Sequence, residues 1–362
     1  MRAAVLSSQP GDLAVEDLLV DEPGPHEVLV DVAAAGLCHS DLHFMEGTFP
    51  ATVPCVLGHE SAGVVGAVGT EVTSVAPGDH VVCCVSVFCG HCRPCLSGAP
   101  YRCAEPGFAD RPDGAPPALR RADGERVHQY FRLGGFAEQM LVHEHAVAKL
   151  PPAMPLDRAA LLGCAVLTGT GAVFRTAAVE PGSRTCVVGV GGVGLAAVQA
   201  LRIAGAGTVV AVDVSEEKLA LARRLGATEV VNAASTPDVV RAVRQLTGGG
   251  VDYSFEAIGA KATSEQAFRM LDTGGTATIV GMIPSDTPLE IRGMELLMDR
   301  RLQGSLMGSN RFRVDIPRLA DLYLDGRLLL DEMVTARIRL ENINEGYRAL
   351  RDGAVARTVV TF

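Results

Sequence analysis

Four cysteines in the first third of the chain have the side chains and the spacing of a metal site. They fall within fifteen residues of one another: Cys89, Cys92, Cys95 and Cys103. Four thiolates complete the tetrahedral shell of a zinc ion and leave no position open for water or substrate. The spacing therefore predicts a structural zinc site that fixes a loop. A pair of disulfides and a four-cysteine iron–sulfur cluster stay open as alternatives, since the ligand set alone excludes neither.

A second group of ligand-type side chains is spread along the chain. Cys38 lies in the segment Gly-Leu-Cys-His-Ser-Asp-Leu-His at 36–43, His59 precedes Glu60, and Cys164 follows a glycine. Spacing alone does not group these residues, because each is also typical of a buried thiol or a core imidazole. The residue pattern leaves both interpretations open, a shared zinc ion and separate core positions.

A glycine-rich run has the pattern of a dinucleotide-binding turn. Gly189, Gly191 and Gly194 fit G-x-G-x-x-G, after the apolar stretch 185–188 and before a helical pattern. The first glycine allows a tight turn, the second lets the backbone approach a pyrophosphate, and the third lets helix and strand pack closely. The N–H groups at the start of the helix favour phosphate. The run predicts a nucleotide site; a βα turn that binds nothing is the alternative.

The next apolar strand supports an NAD site. It ends in Asp213, 19 residues beyond Gly194. A carboxylate here accepts hydrogen bonds from both ribose hydroxyls and repels a 2′-phosphate, which favours NAD over NADP. The next basic residue is Lys218.

The elements that must position these residues follow two patterns. Residues 1 to about 150 contain short β-like runs broken by Gly and Pro, which is typical of an all-β or barrel-like unit. From about residue 185, strands alternate with helices, which predicts an α/β unit with a parallel sheet. The stretch 104–130 is rich in Pro, Arg and Asp and is predicted to be an exposed loop. The closing elements are predicted as strand 334–340, a helix near 343–350 and strand 358–362.

Composition excludes several classes of protein. The chain has 362 residues, 48% hydrophobic and 20% charged, which predicts about two globular domains and excludes disorder. The net charge of −10 disfavours nucleic acid or an anionic membrane as partner. Since no apolar run reaches the ~18–20 residues of a membrane helix and the start is too polar for a secretory signal, we expect a cytoplasmic protein. Ten cysteines in such a chain favour metal over disulfides.

Together, these motifs resemble the zinc-dependent, medium-chain alcohol dehydrogenases. The resemblance runs over essentially the whole chain, from the segment 36–43 to the closing Arg357-Thr358-Val359. It implies a GroES-like, β-rich catalytic domain and a doubly wound, parallel-sheet Rossmann domain that binds NAD. The implied bounds are 1–165 with 308–362 for the catalytic domain, about 86–104 for its structural-zinc lobe, and 166–307 for the Rossmann domain.

The resemblance also implies roles at the second group. Cys38, His59 and Cys164 would hold a catalytic zinc, with Glu60 as an alternative ligand, while the cysteine lobe holds a second, structural zinc. Ser40 would take the proton of the alcohol and His43 would release it to solvent. Asp41 would hold the imidazole of His59 in its ligating orientation.

Cofactor contacts are implied in both domains. Arg357 and His39 resemble pyrophosphate contacts, Thr168 and Val193 flank the nicotinamide, and Lys218 lies near the adenosine ribose. Many members carry Arg where this chain has His39, which predicts looser and more pH-dependent cofactor binding. The implied cofactor-binding residues are His39, Thr168, Gly189, Gly191, Gly192, Val193, Gly194, Asp213, Lys218 and Arg357.

The expected function is reversible hydride transfer between a primary or secondary alcohol and NAD, with one catalytic and one structural zinc ion and a homodimer or homotetramer as the assembly. Val85 stands where the family often has an aromatic residue, which predicts room for bulkier alcohols.

One alternative is oxidation of a thiol adduct of formaldehyde, with cationic anchors in the 104–130 loop at Arg111, Arg120, Arg121 and Arg126. A second is a non-catalytic, NAD-binding structural protein. The sequence does not identify the substrate.

Overall fold

The structure is a computed structural model that describes residues 1–353 and 357–362. Its β-strands run in chain order as β1 Arg2–Leu6, β2 Leu13–Asp17, β3 Leu19–Val20, β4 Glu27–Gly36, β5 Cys55–Val56, β6 Glu60–Val68, β7 His80–Cys83, β8 Leu119–Arg120, β9 Arg126–Gln129, β10 Gln139–His143, β11 Val147–Lys149, β12 Arg184–Val188, β13 Thr208–Asp213, β14 Glu229–Asn232, β15 Val251–Glu256, β16 Leu271–Ile279, β17 Arg301–Gly304, β18 Ala336–Ile338 and β19 Thr358–Thr361.

The α-helices are α1 His39–Met45, α2 Arg93–Leu96, α3 Leu156–Ala159, α4 Ala165–Gly171, α5 Gly192–Ile203, α6 Glu216–Leu225, α7 Val239–Leu246, α8 Lys261–Arg269, α9 Gly293–Leu297, α10 Phe312–Leu324 and α11 Ile343–Arg351. Short 3-10 turns connect several of them, among them Tyr130–Arg132 and Ala160–Gly163.

The chain divides into two compact units. The first consists of Met1–Cys164 and Arg311–Phe362, and the second of Ala165–Asn310. These bounds lie within a few residues of the domain limits expected from the sequence.

The first unit is built on two mainly antiparallel sheets. One has the strand order β2-β1-β5-β9-β8-β3, and the other has the order β11-β7-β6-β4-β19-β18, with β10 paired to β4. The long strands β4 and β6 pair in register from Val28 opposite Val68 to Gly36 opposite Glu60. Because β4 ends just before Cys38 and β6 begins just after His59, this register sets two distant ligand-type residues side by side.

The second unit contains one parallel sheet covered by helices. Its strand order is β14-β13-β12-β15-β16-β17, the order of a doubly wound dinucleotide-binding sheet. Apolar strands alternate with helices because the central strands β12 and β13 bury both faces, with a core that includes Val188, Val210 and Phe268. The expected α/β class, with a β-rich unit and a parallel-sheet unit, is confirmed.

The prediction of an exposed loop throughout 104–130 is wrong in its second half. Strands β8 and β9 lie there, paired with each other and with β3 and β5. The apolar positions Leu119 and Val127 are buried, while charged neighbours hid this short alternation in the sequence.

A search for membrane-spanning helices among the described residues finds no single helix of sufficient length and apolarity. One bent pair, Leu156–Gly163 with Ala165–Ala177, passes by length and composition only.

Candidate active site

The four clustered cysteines converge on one point. Their sulfur atoms all lie within 4.8 Å of one another, with Cys92 Sγ 3.4 Å from Cys95 Sγ and 3.9 Å from Cys103 Sγ. A tetrahedral zinc ion with bonds of ~2.3 Å has sulfur atoms about 3.8 Å apart, so the set fits zinc. A disulfide needs about 2.05 Å, and all four thiols are free, which removes the disulfide alternative.

Local backbone supports these sulfur atoms. The N–H of Cys89 donates to Cys103 Sγ at 3.3 Å, and the N–H of Cys92 donates to Cys89 Sγ at 3.3 Å. Backbone hydrogen bonds around Ala104 and Cys95 lower the pKa of Cys92 to about 6. Burial raises the pKa of Cys95 to about 12 and raises that of Cys103 as well, so a bound metal ion would have to displace protons from these two thiols.

The spread group also converges, at the edge of the β4–β6 sheet. The ligand atoms of Cys38, His59, Glu60 and Cys164 lie within 4.8 Å of one another, and all four residues are buried. Two thiolates, an imidazole and a carboxylate are a donor set that fits zinc. We call these four residues the buried cluster.

Chain geometry explains how the buried cluster forms. Cys38 caps helix α1 in an extended conformation, and Cys164 follows the 3-10 turn Ala160–Gly163. Gly163 makes that approach possible, because a Cβ there would lie 2.5 Å from the carbonyl oxygen of Cys83. Gly58 has φ +92°, and a Cβ would lie 2.7 Å from Phe136 N, so only glycine allows this turn into His59.

Asp41 orients the imidazole of His59. Its Oδ1 lies 3.0 Å from His59 Nδ1 and accepts a hydrogen bond from Gly58 N at 3.1 Å. The contact assigns the proton to Nδ1 and leaves Nε2 for a ligand. The structure therefore places Asp41 where a residue that orients a metal ligand must lie.

Charges within the buried cluster are strongly coupled. The pKa of Cys38 lies well below its ordinary value because the Cys164 thiol hydrogen-bonds to it and because His59 and Arg357 are close. The pKa of Cys164 is raised well above its ordinary value by the same hydrogen bond and by burial. Burial lowers the pKa of His59, but Asp41 and Cys38 outweigh it and hold the value high. The sulfur atoms of Cys38 and Cys164 thus share one proton, which a bound metal ion would displace.

Glu60 pairs with Arg357 inside the first unit. Arg357 Nη2 donates to Glu60 Oε1 at 2.7 Å and Nη1 donates to the carbonyl of Leu37 at 2.8 Å, with 4% and 0% of the two charged side chains exposed. Burial raises the pKa of Glu60 to about 8, although Arg357 opposes the shift. The pyrophosphate contact expected of Arg357 stays a prediction, because the bonds described here lead to the interior.

Helix α1 carries the remaining catalytic candidates. Ser40 Oγ lies 3.6 Å from Cys38 Sγ, and Ser40 is half-buried. His43 lies one turn further along, half-buried, with its ring 5.8 Å from that of Phe49. His39, the first residue of the helix, is exposed. The structure therefore brings Ser40 to the buried cluster and His43 to its neighbourhood.

An aromatic group that sequence reasoning missed borders the buried cluster. We call Phe44, Phe49, Tyr130 and Phe131 the aromatic collar. The Phe131 ring is 6.2 Å and the Tyr130 ring 6.4 Å from the ring of His59. Phe131 has φ +51° and is 45% exposed, a strained conformation for a large residue. The Tyr-Phe pair before two glycines was the available signal, and it is typical of a functional turn.

In the second unit, the glycine run forms an open turn. Gly189 has φ +87°, and a Cβ there would collide with the side chain of Ile258. A Cβ on Gly194 would collide with the carbonyl of Gly189, whereas one on Gly191 would meet nothing within 4 Å. Gly191 caps helix α5, so the turn leaves open space at a helix N-terminus, which fits a pyrophosphate.

Asp213 ends β13 beside this turn. Its Oδ2 accepts from Val190 N at 2.9 Å, and its Oδ1 accepts from Val214 N at 2.8 Å and Ser215 N at 3.1 Å. These bonds fix the carboxylate at the end of β13 beside the glycine turn, and the ribose contact expected of Asp213 stays a prediction. Lys218 lies in the first turn of α6, where its N–H donates to Ser215 Oγ at 3.4 Å.

The other cofactor candidates lie at helix starts and in the core. Gly192 and Val193 open helix α5 and are half-buried. Thr168 is buried in α4, with Oγ1 3.8 Å from Met307 Sδ. The nicotinamide contacts expected of Thr168 and Val193 stay predictions.

Comparison with known proteins identifies the chain. An alcohol dehydrogenase GroES-like domain matches residues 24–152, and a zinc-binding dehydrogenase domain matches residues 192–323. An alcohol dehydrogenase zinc-binding domain protein from Burkholderia ambifaria is 38% identical, with TM-score 0.94, over 100% of this chain and 98% of that one. The chain belongs to the zinc-dependent medium-chain alcohol dehydrogenase family.

Two further relatives of this alcohol dehydrogenase family show its breadth. Benzyl alcohol dehydrogenase from Acinetobacter calcoaceticus is 32% identical, with TM-score 0.92, over 100% of this chain and 99% of that one. A zinc-binding dehydrogenase from Sinorhizobium meliloti 1021, bound to NADP, is 28% identical, with TM-score 0.83, over 100% and 99%. The protein is an oxidoreductase of this family, and the expected GroES-like and Rossmann folds are confirmed.

The arginines considered as anchors for a charged thiol cofactor are mostly paired in this family member. Arg111 binds Asp21 and Glu27, each at 2.6 Å. Arg120 lies 3.3 Å from Asp21, and Arg121 binds Glu16 at 2.8 Å and Glu125 at 2.5 Å. These carboxylates neutralise the cations, so the observation that favoured the formaldehyde-adduct alternative is weakened.

Glu256 is another residue that sequence reasoning missed. Its Oε1 accepts hydrogen bonds from Ile258 N at 3.1 Å, Gly259 N at 2.8 Å and Thr263 Oγ1 at 2.7 Å. This buried carboxylate holds the turn after β15, whose Ile258 lies against Gly189. Its signal in the sequence was an acidic residue at the end of a predicted strand, directly before the Ala-Ile-Gly turn.

Proposed function

We propose that this protein is an NAD-dependent zinc alcohol dehydrogenase that interconverts an alcohol and its aldehyde or ketone. The observation that carries the proposal is the convergence of Cys38, His59, Glu60 and Cys164 within 4.8 Å, with Ser40 beside them. Cys38, His59 and Cys164 would supply three ligands to a zinc ion and leave a fourth position for a substrate oxygen, unlike a closed four-thiolate shell.

When bound, zinc acts as a Lewis acid that polarises the substrate oxygen and lowers the pKa of an alcohol. The thiolates of Cys38 and Cys164 offset the charge of the ion. Asp41 keeps the imidazole of His59 in one tautomer and one orientation, so that no reorganisation is needed during the reaction. Glu60, paired with Arg357, contributes a second carboxylate close to the ion.

Residues of helix α1 move the proton. Ser40 accepts the alcohol proton, since its hydroxyl lies next to the buried cluster and is half-buried. His43, one turn further and also half-buried, releases the proton to solvent, because an imidazole exchanges protons with water near neutral pH. The exposed His39 is the contact for the pyrophosphate, with weaker charge than an arginine.

NAD would supply the hydride acceptor, and residues of the second unit would hold it. The turn at Gly189–Gly194 takes the pyrophosphate, and the carboxylate of Asp213 takes the ribose hydroxyls. The carboxylate repels a 2′-phosphate and so supports NAD over NADP, although one relative at 28% identity is bound to NADP in its structure.

The substrate we propose is an aromatic or other bulky apolar primary alcohol. The aromatic collar offers ring faces and edges about 6 Å from the His59 ring, and offset or edge contacts between aromatic rings are favourable. The small side chain of Val85 is expected to leave space. The similarity to a benzyl alcohol dehydrogenase supports the same class.

One experiment tests the proposal: metal analysis of the purified protein, combined with a panel of alcohols and aldehydes assayed with NAD and with NADP. We expect about two zinc ions per chain, reduction of NAD in preference to NADP, and a higher kcat/KM for benzyl alcohol than for ethanol. One metal per chain with no turnover of any alcohol would instead favour a non-catalytic protein. Activity with formaldehyde only in the presence of a low-molecular-weight thiol would favour the adduct alternative.

We also propose that the enzyme assembles as a homodimer or homotetramer. Strand β17 is the last strand of the parallel sheet, and the preceding helix α9 carries the exposed apolar residues Met294, Leu296 and Leu297. Unpaired strand edges and apolar patches are typical of interfaces between subunits. Light scattering at micromolar concentration tests this, and a monomer would contradict it.

A further inference from the structure

Several buried polar atoms in and around the buried cluster lack a hydrogen bond among the described residues, and two of them lie on Tyr347 and Asp41. These two are the hydroxyl of Tyr347 and Oδ2 of Asp41. Tyr347 is 2% exposed and Asp41 is 0% exposed. Asp41 uses its other oxygen, Oδ1, for His59 Nδ1 and Gly58 N. Tyr347 thus has a buried hydroxyl to donate, and Asp41 has a buried oxygen free to accept.

Packing brings Tyr347 and Asp41 into the same part of the first unit. Tyr347 lies on helix α11 and packs its ring edge-on against Phe136, with 6.1 Å between ring centres. Phe136 lies directly against Gly58, whose N–H donates to Asp41 Oδ1. Burial, together with the Asp41 carboxylate, raises the pKa of the Tyr347 hydroxyl, and the carboxylate acts here as an acceptor of its hydrogen bond would. Buried polar groups in folded proteins are nearly always paired, and a hydroxyl hydrogen rotates to suit its acceptor.

The choice of residue at this position also needs an explanation. Tyr347 belongs to an apolar cluster with Leu37, Leu42 and Phe136. A phenylalanine would fill the same volume without burying a hydroxyl, and a buried tyrosine hydroxyl usually has a specific partner. Asp41 Oδ2 is an unpaired acceptor in this region and Asp41 is the hydrogen-bonding group that acts on Tyr347, so this carboxylate is the partner that fits the hydroxyl.

We propose that Tyr347 is a positioning residue for the zinc centre: its hydroxyl donates to Asp41 Oδ2, which holds the carboxylate in the orientation that fixes the His59 imidazole. The inference rests on the proposed function, because it assumes a metal ion held by Cys38, His59 and Cys164. A carboxylate bound through both oxygens cannot rotate away from the imidazole. The chain Tyr347–Asp41–His59 thus extends the support of one metal ligand to the C-terminal helix.

The test removes only the hydroxyl, in Tyr347→Phe, and measures release of zinc to a chelator in the full-length protein. Loss of a partner of this kind weakens metal binding about 10–100-fold, so we expect release at least about tenfold faster in one kinetic phase. The variant Cys164→Ser identifies which kinetic phase belongs to the buried cluster, because zinc release from this variant should lack that phase. Tyr323→Phe is the matched control, since Tyr323 donates to Asp331 at 3.2 Å in a partly exposed pair away from the cluster.

A merely structural tyrosine would behave differently in two respects. In an Asp41→Asn background, Tyr347→Phe should add little to the release rate, whereas a packing effect would add fully. With cobalt in place of zinc, the visible spectrum of the Tyr347→Phe protein should shift relative to wild type, while Tyr323→Phe should leave it unchanged. Wild-type release with an unchanged cobalt spectrum, or full additivity, would overturn the inference.

A measurement on the unsubstituted protein covers the case in which Tyr347→Phe folds poorly. The hydroxyl proton of Tyr347 should be visible by NMR as a slowly exchanging signal that is lost in Asp41→Asn; its absence from the wild-type protein counts against the inference. If the Tyr347 inference is wrong, the wild-type protein should still oxidise alcohols. If the proposed function is wrong, the wild-type protein should show no turnover of alcohols.

Discussion

The two clusters of metal-ligating residues differ in how the chain assembles them. The cysteine lobe takes its four thiols from fifteen consecutive residues, and two of them, Cys95 and Cys103, are only half-buried. The buried cluster takes its members from segments as far apart as Cys38 and Cys164, and all of them are buried. A local cluster needs one loop to close, whereas a distributed one needs the sheet to be in register.

The chemistry of the two clusters differs for the same reason. The lobe contains one type of ligand, supported by N–H groups of its own loop, and four thiolates leave no room for a substrate. The buried cluster combines ligands of three types and is surrounded by groups from other elements, Asp41 from α1 and Arg357 next to β19. A site assembled from distant elements can leave a position open for substrate and can have its ligands adjusted by neighbouring charges. A site within one loop can be closed by its own ligands and serve to stabilise the loop.

The largest expected effect that tests this comparison is in the buried cluster. Cys164→Ser should lower alcohol turnover by on the order of 10³-fold, because a Lewis acid supplies several kcal/mol of transition-state stabilisation. The affinity for NAD, measured by fluorescence titration, should change little, since the glycine turn and Asp213 belong to the other unit. An unchanged turnover rate would contradict the role assigned to Cys164.

A smaller effect on activity, and a larger one on stability, is expected in the lobe. Cys103→Ser should remove one zinc ion per chain and lower Tm by roughly 5 °C or more, because binding of a structural metal contributes directly to folding. Turnover below the new Tm should stay within a few-fold of wild type. Metal analysis with calorimetry measures both, and loss of turnover with no change in Tm would reverse the two roles.

The border of the buried cluster should affect specificity. Phe131→Ala should raise KM for benzyl alcohol roughly 3–10-fold, because an aromatic pair contributes about 0.5–1.5 kcal/mol. The KM for ethanol should change less. Phe174→Ala is the control, because Phe174 is a phenylalanine of similar exposure in the second unit. If the KM values of both alcohols change equally in Phe131→Ala, the prediction is wrong.

The smallest effect concerns pH and the surroundings of the lobe. Burial and the neighbouring His145 and His26 lower the pKa of His143 to about 4, and its ring contacts that of Phe108, just after the lobe. Between pH 6.5 and 4 the unfolded chain binds a proton here that the folded one does not, so stability falls as pH falls through this window. After discounting for partial exposure, we expect a loss of about 1 kcal/mol.

The measurement is the free energy of unfolding in urea at several pH values. His143→Gln should flatten the decrease between pH 6.5 and 4, and substitution of the exposed His91 should not. A wild-type profile that is already flat in this window would show that His143 titrates normally.

Much of the fold could be predicted from strands in which apolar residues alternate with polar ones and from the positions of glycines. The run Gly189–Gly194 predicted the open turn at the start of α5, and Asp213 was expected at the end of the next strand, where it lies. The strands β8 and β9 were missed because each is short and flanked by arginines, so that burial of Leu119 and Val127 depends on pairing with distant strands.

The meeting of the ligand-type residues was expected from the sequence, whereas the residues around them were not. Cys38, His59 and Cys164 were grouped through family resemblance, since their spacing carries no information on distance. The aromatic collar was not foreseen, because the positive φ of Phe131 depends on the turn around it rather than on its own preference. Nor was the position of Tyr347 near Asp41, because it requires helix α11 to pack on the first unit's core.

Features whose partners lie within a few residues could be read directly from the amino acids: the cysteine lobe, the glycine turn and the alternation of strands with helices. Their physical basis is local, in ligand spacing, backbone conformation and side-chain periodicity. The meeting of the buried cluster, the pairing of Glu60 with Arg357 and the orphaned hydroxyl of Tyr347 arise from the fold, because sheet register and core packing set distances between residues that the chain itself keeps far apart.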